Sequence, residues 1–269
     1  MKIDTCKLKI VQKKSLGQNF LINEGILDKI VRAAEISPED VVVEIGPGTG
    51  NLTKKLAEKS KRVIAIENDR RLIDSLREQF KDTNVEIIEG DVLKLPRLNL
   101  VQQGLTLYKI VANIPYYITS NLLRTIFESW PRPKLIVLTV QKEVAKRIIA
   151  KPPDMNLLAL SVQLYSEPKI ISYVSRGSFR PTPKVDSAII KLTTYDLRLT
   201  TSERENFFKL IKAGFSGKRK QLVNNLAKNF GMIKDDLSGI FEKVGIKHDI
   251  RAENLSLNQW VELSRHIEK

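Results

Sequence analysis

The sequence predicts an α/β fold, a parallel sheet with helices on both faces followed by a small all-helical C-terminal domain, on three observations. Short β-branched runs alternate with amphipathic stretches up to about residue 150, a glycine-rich turn directly follows the first buried run, and strand patterns stop near residue 200. At the usual ~150 residues per domain, 269 residues suffice for one large domain and an appendage. We expect the boundary after residue 195, giving 1–195, with 1–24 as a basic N-terminal segment, and 196–269.

The runs VVVEI (41–45), RVIAI (62–66), VEIIE (85–89), LYKIVA (107–112) and KLIVLTV (134–140) read as strands buried within a sheet. Between them, GILDKIVRAAEI (25–36), GNLTKKLAEKS (50–60), RRLIDSLREQF (70–80), TSNLLRTIFES (119–129) and EVAKRIIA (143–150) place apolar residues three and four apart, the helical period. Beyond residue 150, NLLALSVQLYSE reads as a helix, and PKIISYVS and VDSAIIKLTTY as strands. Pro181 and Pro183 impose an extended connection between those two strands. The remainder predicts helices over 202–213, 217–229, 234–244 and 256–267, with Ser256 as an N-cap and glycines 231, 239 and 245 as breaks or caps.

Charge points to a polyanionic partner. The formal net charge is +14, and residues 130–195 hold 11 basic against 4 acidic side chains, half of the surplus in a quarter of the chain. A single cysteine, Cys6, rules out an internal disulfide framework. With only His248 and His266 besides, there is no zinc spacing, no metal is expected, and a Ser/His or Cys/His hydrolase is disfavoured. No apolar run approaches the ~18 residues of a membrane span, and MKIDTCKLKI lacks a signal-peptide pattern, so a monomeric cytoplasmic protein without a membrane partner is expected.

The motifs narrow the chemistry. EIGPGTG (44–50) lies between a strand and a helix, where Gly46 and Gly48 let the backbone approach a ligand. Glu67, 21 residues after Gly46 at the end of the next strand, is placed to accept from ribose hydroxyls. The spacing is G-x-G-x-G, which suits a ligand with ribose and amino-acid parts and no phosphate, such as S-adenosylmethionine. No Lys-Ser or Lys-Thr follows, which excludes a phosphate-cradling P-loop. Asp91 in EGDVLKL could accept from an adenine amine or simply cap a turn.

The fourth strand ends in Asn113-Ile114-Pro115-Tyr116, an N-x-P-Y signature of amine methylation. An aromatic amine is a poor nucleophile because its lone pair is delocalised into the ring. Accepting its N–H hydrogens on the Asn113 side-chain oxygen and the Ile114 carbonyl favours the pyramidal, reactive geometry. Pro115 fixes the turn, and Tyr116 offers a face for a flipped base. Pyrimidine C5 methylation would need a cysteine nucleophile, and Cys6 in the basic tail is not placed for it.

These motifs belong to nine blocks in order: SLGQNFL (15–21), EIGPGTGNLT (44–53), IEND (66–69), GDVLKL (90–95), NIPYYIT (113–119), QKEVAKR (141–147), FRPTPKVDSAI (179–189), FSGKRKQL (215–222) and RAENLSLNQW (251–260). Over nearly the whole chain they resemble the ribosomal RNA adenine dimethyltransferase family, the KsgA-type dimethyladenosine transferases. The resemblance implies a Rossmann-like class I methyltransferase sheet and S-adenosylmethionine as cofactor, with S-adenosylhomocysteine as product. It also implies dimethylation of the N6 amines of two adjacent adenosines near the 3′ end of small-subunit, 16S-type ribosomal RNA, on the immature small subunit. Cofactor contacts are implied for Asn19, Leu21, Gly46, Glu67, Asp91 and Asn113, and Phe179 is implied to face Tyr116 across the target base. Asn19, Leu21 and Phe179 rest on the resemblance alone.

A mild departure is Gly217-Lys218 where many relatives carry Gln and Arg. Two other readings stand beside the first: the sister enzymes that methylate large-subunit RNA and confer macrolide resistance, and a non-catalytic RNA-binding assembly factor. RAENLSLNQW and FRPTPKVDSAI favour the small-subunit reading, binding alone has no need of an amine-polarising motif, and a nicotinamide-dependent oxidoreductase fails on glycine spacing. The expected RNA surface comprises Arg147, Arg180 and Lys184, extended by Lys218, Arg219 and Lys220 and by the tail lysines 7, 9, 13 and 14.

Overall fold

The computed structural model describes residues 18–95, 107–196 and 199–267; Cys6 and the tail lysines lie outside them. The β-branched runs form β2 (Val41–Ile45), β3 (Arg62–Glu67), β4 (Val85–Glu89), β5 (Tyr108–Asn113) and β6 (Leu135–Gln141), five neighbours that pair in parallel in the order β4-β3-β2-β5-β6. Two later strands, β7 (Ser166–Val174) and β9 (Ser187–Thr194), extend the sheet beyond β6. The β6–β9 pair is antiparallel, so the sheet is mixed rather than wholly parallel. Two residues of the N-terminal segment, β1 (Phe20–Leu21), pair antiparallel with β8 (Phe179–Arg180).

The strand order reverses between β2 and β5, and such a switch point opens a crevice at the carboxyl ends of the strands. The crossovers carry α1 (Glu24–Ala33), α2 (Asn51–Ala57), α3 (Arg70–Gln79) and α4 (Thr119–Ser129). Asn23 caps α1, its side chain accepting from the Ile26 N–H at 3.2 Å, and Asp69 caps α3. Leu27, Ile30, Leu52 and Leu56 bury the apolar faces of α1 and α2 in one cluster with Val42, Val63, Val111 and Val137 from the strands. Each such side chain contributes about 1.5–3 kcal/mol when fully buried.

The described residues form two compact units. One runs to Lys142 and includes Lys169–Thr194; the other comprises Glu143–Pro168 and the chain from Tyr195. The single boundary expected after 195 thus differs from the packing, which groups Glu143–Pro168 with the C-terminal helices. This second unit holds most of α5 (Lys142–Ile148), together with α6 (Leu157–Gln163), α7 (Thr201–Gly214), α8 (Leu222–Phe230), α9 (Lys234–Val244) and α10 (Leu257–His266). Its grouping has a local cause: the Met155 N–H donates to the Glu253 carbonyl at 3.0 Å, and Tyr165 stacks on Phe208 with centroids 6.4 Å apart.

Ser256 caps α10 in a capping box with Gln259, and Trp260 in that helix stacks on Phe215 at 5.8 Å. Gly231 and Gly245 end α8 and α9 in the left-handed conformation, whereas Gly239, expected as a break or cap, lies inside α9. The helix expected from 217 starts only at Leu222. The Asn225 side chain donates to the carbonyls of Gly214 (2.6 Å) and Gly217 (3.1 Å) and so holds 215–221 as a turn. Among the described residues, no helix is long and apolar enough to cross a membrane.

Candidate active site

The turns and strand ends at the switch point line one cavity. Gly46 and Gly48 come from the turn after β2, Glu67 from the end of β3, Asp91 from just beyond β4 and Asn113 from the end of β5. Asn19 and Leu21 contribute from the N-terminal segment. The glycine turn needs its residue type: Gly46 has φ +71° and Gly48 φ +59°, and a Cβ on Gly48 would stand 2.9 Å from the Phe20 ring.

Among the described residues, four carboxyl groups, Glu44, Glu67, Asp69 and Asp91, line this cavity, and no Lys, Arg or His does. Glu67 is buried and holds the turn. Its Oε2 accepts from the Gly48 N–H at 3.1 Å, and its Oε1 accepts from the N–H groups of Asn68 and Asp69 at 2.9 Å each. Burial raises its pKa while those three backbone donors pull it back. Asp69 is held down to about 2, chiefly by the Arg71 guanidinium. Glu44, deep in β2, is pushed up to about 8 by burial, with the charge of Glu67 adding to the rise. Asp91 meets the turn reading with one oxygen, Oδ1 accepting from the Leu93 N–H at 3.0 Å, and it also lines the cavity.

Such a cavity repels phosphates and suits a cation-bearing ligand with donor groups. Among the described residues, two buried acceptors, Gln18 Oε1 and Glu44 Oε2, have no hydrogen-bond partner, and both residues line the cavity. Unpaired buried acceptors are costly unless a ligand donates to them. The residues therefore fit S-adenosylmethionine, which brings a sulfonium cation, an ammonium group and ribose hydroxyls.

At the end of β5, the Asn113 Nδ2 donates to the Asn19 carbonyl at 3.0 Å. A carbonyl can only accept, so this contact fixes which end of the amide faces it and leaves Oδ1 as the acceptor. The N-terminal segment that supplies the carbonyl is tied down on several sides. Gln18 Nε2 donates to Asp69 Oδ2 at 3.1 Å, Asn51 Nδ2 to the Leu21 carbonyl at 3.4 Å, and the Ile22 N–H to the Ser178 carbonyl at 3.0 Å.

Pro115 lines the cavity, while Ile114 is buried and does not. Tyr116 sits in a 3-10 turn (Tyr116–Ile118), outside the cavity lining, with its hydroxyl 2.6 Å from Ser187 Oγ at the start of β9. Burial raises its pKa, so the phenol stays neutral. Phe179, expected to face Tyr116 across a base, sits beside the N-terminal segment. Pairing of β8 with β1 sets Phe179 opposite Leu21, and the side chain, 2% exposed, packs in the apolar cluster with Leu21 and Ile189.

Of the expected RNA residues, Arg147, Arg180, Lys184, Lys218, Arg219 and Lys220 are all exposed. Arg180 and Lys184 belong to the sheet unit, and Arg147 and Lys218–Lys220 to the helical one. Sequence reasoning missed Gln18, Glu44, Asn51, Asp69 and Ser187. All five lie within or beside the quoted blocks, but only their long-range contacts reveal a role.

Comparison with known proteins agrees with this geometry. Residues 10–269 match the family described as Ribosomal RNA adenine dimethylase. A protein named Ribosomal RNA small subunit methyltransferase A from Dehalococcoides mccartyi strain 195 is 44% identical over 250 residues, 92% of this chain and 86% of that one. A protein of the same name from Clostridium botulinum strain Okra is 41% identical over 255 residues, covering 93% and 92%. Among solved structures, a dimethyladenosine transferase from Plasmodium falciparum has a TM-score of 0.77 at 34% identity, covering 91% of this chain and 95% of that one. The 23S rRNA methyltransferase ErmE has a TM-score of 0.76 at 26% identity, covering 93% and 100%.

Proposed function

The chain belongs to the ribosomal RNA adenine dimethylase family, and on that premise we propose that it dimethylates the N6 amines of two adjacent adenosines near the 3′ end of small-subunit ribosomal RNA during subunit biogenesis. The observation that carries the mechanism is the Asn113 amide. With Nδ2 committed to the Asn19 carbonyl, Oδ1 is the end that can accept from an incoming amine. S-adenosylmethionine, when bound, supplies an electrophilic methyl group on a sulfonium sulfur and leaves as S-adenosylhomocysteine.

The chain's own residues do the rest by binding and orientation. Glu67 accepts from ribose hydroxyls while keeping its backbone bonds, Asp91 accepts from the adenine ring's amine, and Asn19, Leu21, Gly46 and Gly48 shape the walls. Asn113 Oδ1, with the Ile114 carbonyl as second acceptor, draws on the N–H hydrogens of the target amine, returning lone-pair density to nitrogen. Pro115 sets the turn, and Tyr116, its hydroxyl tied to Ser187, presents a fixed ring to the base. Phe179, opposite Leu21 in the β1–β8 pair, faces Tyr116 across the target base. The methylated nitrogen releases its proton to water, so no general base is required. Residues 1–195 carry catalysis, and phosphates are met by Arg147, Arg180 and Lys184 within them and by Lys218, Arg219 and Lys220 in the RNA-contacting segment 196–269. The protein works as a cytoplasmic monomer on the immature small subunit.

The test is transfer of labelled methyl from S-adenosylmethionine to undermethylated small subunits, followed by digestion to nucleosides. Wild type should yield dimethyladenosine, and Asn113→Ala should not while still binding RNA. Tight subunit binding without transfer would favour an assembly factor, and methyl groups only on large-subunit RNA would favour the resistance-type enzyme.

A further inference from the structure

An exposed aromatic residue on an edge strand of the sheet has no role in the site described above. Tyr173, near the end of the edge strand β7, is 52% exposed, and the Lys142 ammonium lies 5.1 Å from its ring centroid. The two are joined to the Tyr116 tether by one residue. Asp186 accepts the Lys142 N–H on its carbonyl at 3.0 Å and the Arg176 N–H on Oδ1 at 3.1 Å, and the next residue, Ser187, holds the Tyr116 hydroxyl. Lys169, Ile171 and Tyr173, at alternate positions of β7, are all exposed. Among the described residues, Lys142 makes no ion pair, and its charge meets only the Tyr173 ring.

An ammonium over a half-exposed ring contributes only weakly to folding, a small return for an aromatic side chain left open on an edge strand. Single-stranded RNA supplies what this pair lacks, a π face for the ring and a phosphate for the cation. The need arises from the reaction itself. Extruding one adenosine into a site unstacks it from its neighbour, and the neighbour requires a new stacking surface. Lys142 over the ring, with the exposed cations Lys169 on the same strand and Arg176 just beyond it, favours a polyanion over an apolar helix or a basic protein.

We propose that Tyr173 and Lys142 form a subsite for the nucleotide flanking the target adenosine, the base stacking on the Tyr173 ring and the phosphate drawn to Lys142. The proposal rests on the methyltransferase reading and deepens it.

The experiment measures binding of a fluorescent single-stranded RNA carrying two adjacent adenosines to the full chain, with methyl transfer to undermethylated small subunits followed in parallel. Tyr173→Ala should weaken RNA binding about tenfold, and Tyr173→Phe, which keeps the ring, should bind as wild type does. Lys142→Met should lower the slope of log affinity against log salt by about 0.7. Thermal midpoint and cofactor affinity should hold in all three. If wild type transfers no methyl, the functional reading fails and the subsite with it. If wild type transfers methyl but Tyr173→Ala binds RNA normally, or Tyr173→Phe loses as much as Tyr173→Ala, the subsite alone is overturned. Weakened binding to small subunits but not to free RNA would reassign the pair to a protein contact and also overturn it.

Discussion

Replacing Glu44 by glutamine should stabilise the ligand-free chain near neutral pH and not in acid. Glu44 is 1% exposed, its Oε2 has no partner, and burial pushes its pKa from an ordinary 4.5 to about 8. Below pH 4.5 both folded and unfolded chains hold the proton. Between 4.5 and 8 the unfolded chain ionises while the folded one does not, so stability falls with rising pH and levels off above 8. At pH 7 the difference is about 3 kcal/mol, and at pH 5 about 1 kcal/mol. Glutamine has no such titration but leaves an amide N–H unpaired at about 1 kcal/mol. The net gain at pH 7 is therefore about 2 kcal/mol, or about 4–8 °C in Tm, and close to nothing at pH 5. Thermal unfolding of both proteins at the two pH values measures it. A Glu44→Gln protein equally destabilised at pH 5 and pH 7 would show that the buried carboxyl does not keep its proton and would refute the reasoning.

Three further outcomes are expected. Asn113→Asp keeps an oxygen acceptor but cannot donate to the Asn19 carbonyl, so turnover should fall about 100-fold with RNA affinity retained; wild-type turnover would show that amide orientation is immaterial. Tyr116→Phe and Ser187→Ala delete the same hydrogen bond, so each should cost about 1 kcal/mol of transition-state stabilisation and the double variant no more than either, whereas additive losses in kcat/KM would contradict a shared tether. Gly48→Ala drives a methyl group into the Phe20 ring at positive φ and should weaken cofactor binding about tenfold in calorimetry, more than Gly46→Ala, around which nothing lies within 4 Å.

Local periodicity made the strands legible. The expected bounds of 41–45, 85–89, 119–129 and 234–244 are those of β2, β4, α4 and α9, because each is a buried run or an amphipathic stretch with clear ends. The antiparallel β9 was not placed beside β6, since a strand's pattern reports its burial and not its neighbour. The late start of α8 was hidden for a related reason. Residues 217–221 are Gly-Lys-Arg-Lys-Gln and carry no apolar period to mark a start, and Asn225 captures the Gly214 and Gly217 carbonyls, a choice that leaves no trace in hydrophobicity. Gly239 inside α9 costs only about 1 kcal/mol relative to alanine, too little to break a helix that buries Leu237 and Phe241.

The candidate site divides along the same line. Gly46, Glu67, Asp91 and Asn113 lie at or just past the ends of four neighbouring parallel strands, so reading strand ends was enough to gather them at one edge. What makes Asn113 usable lies elsewhere. An amide is two-faced, and its own motif does not say whether oxygen or nitrogen points toward the ligand. That choice is made by the Asn19 carbonyl, 94 residues away, and the carbonyl is held in turn by the β1–β8 pair, by Asn51 and by the Gln18–Asp69 contact. Asp69 can accept from Gln18 because Arg71 keeps it ionised, and its N–H is bonded to Glu67. The group that holds the glycine turn and the group that sets the amide are thus linked through Asp69. Any substitution that loosens the N-terminal segment therefore acts on the chemistry at β5 without touching it.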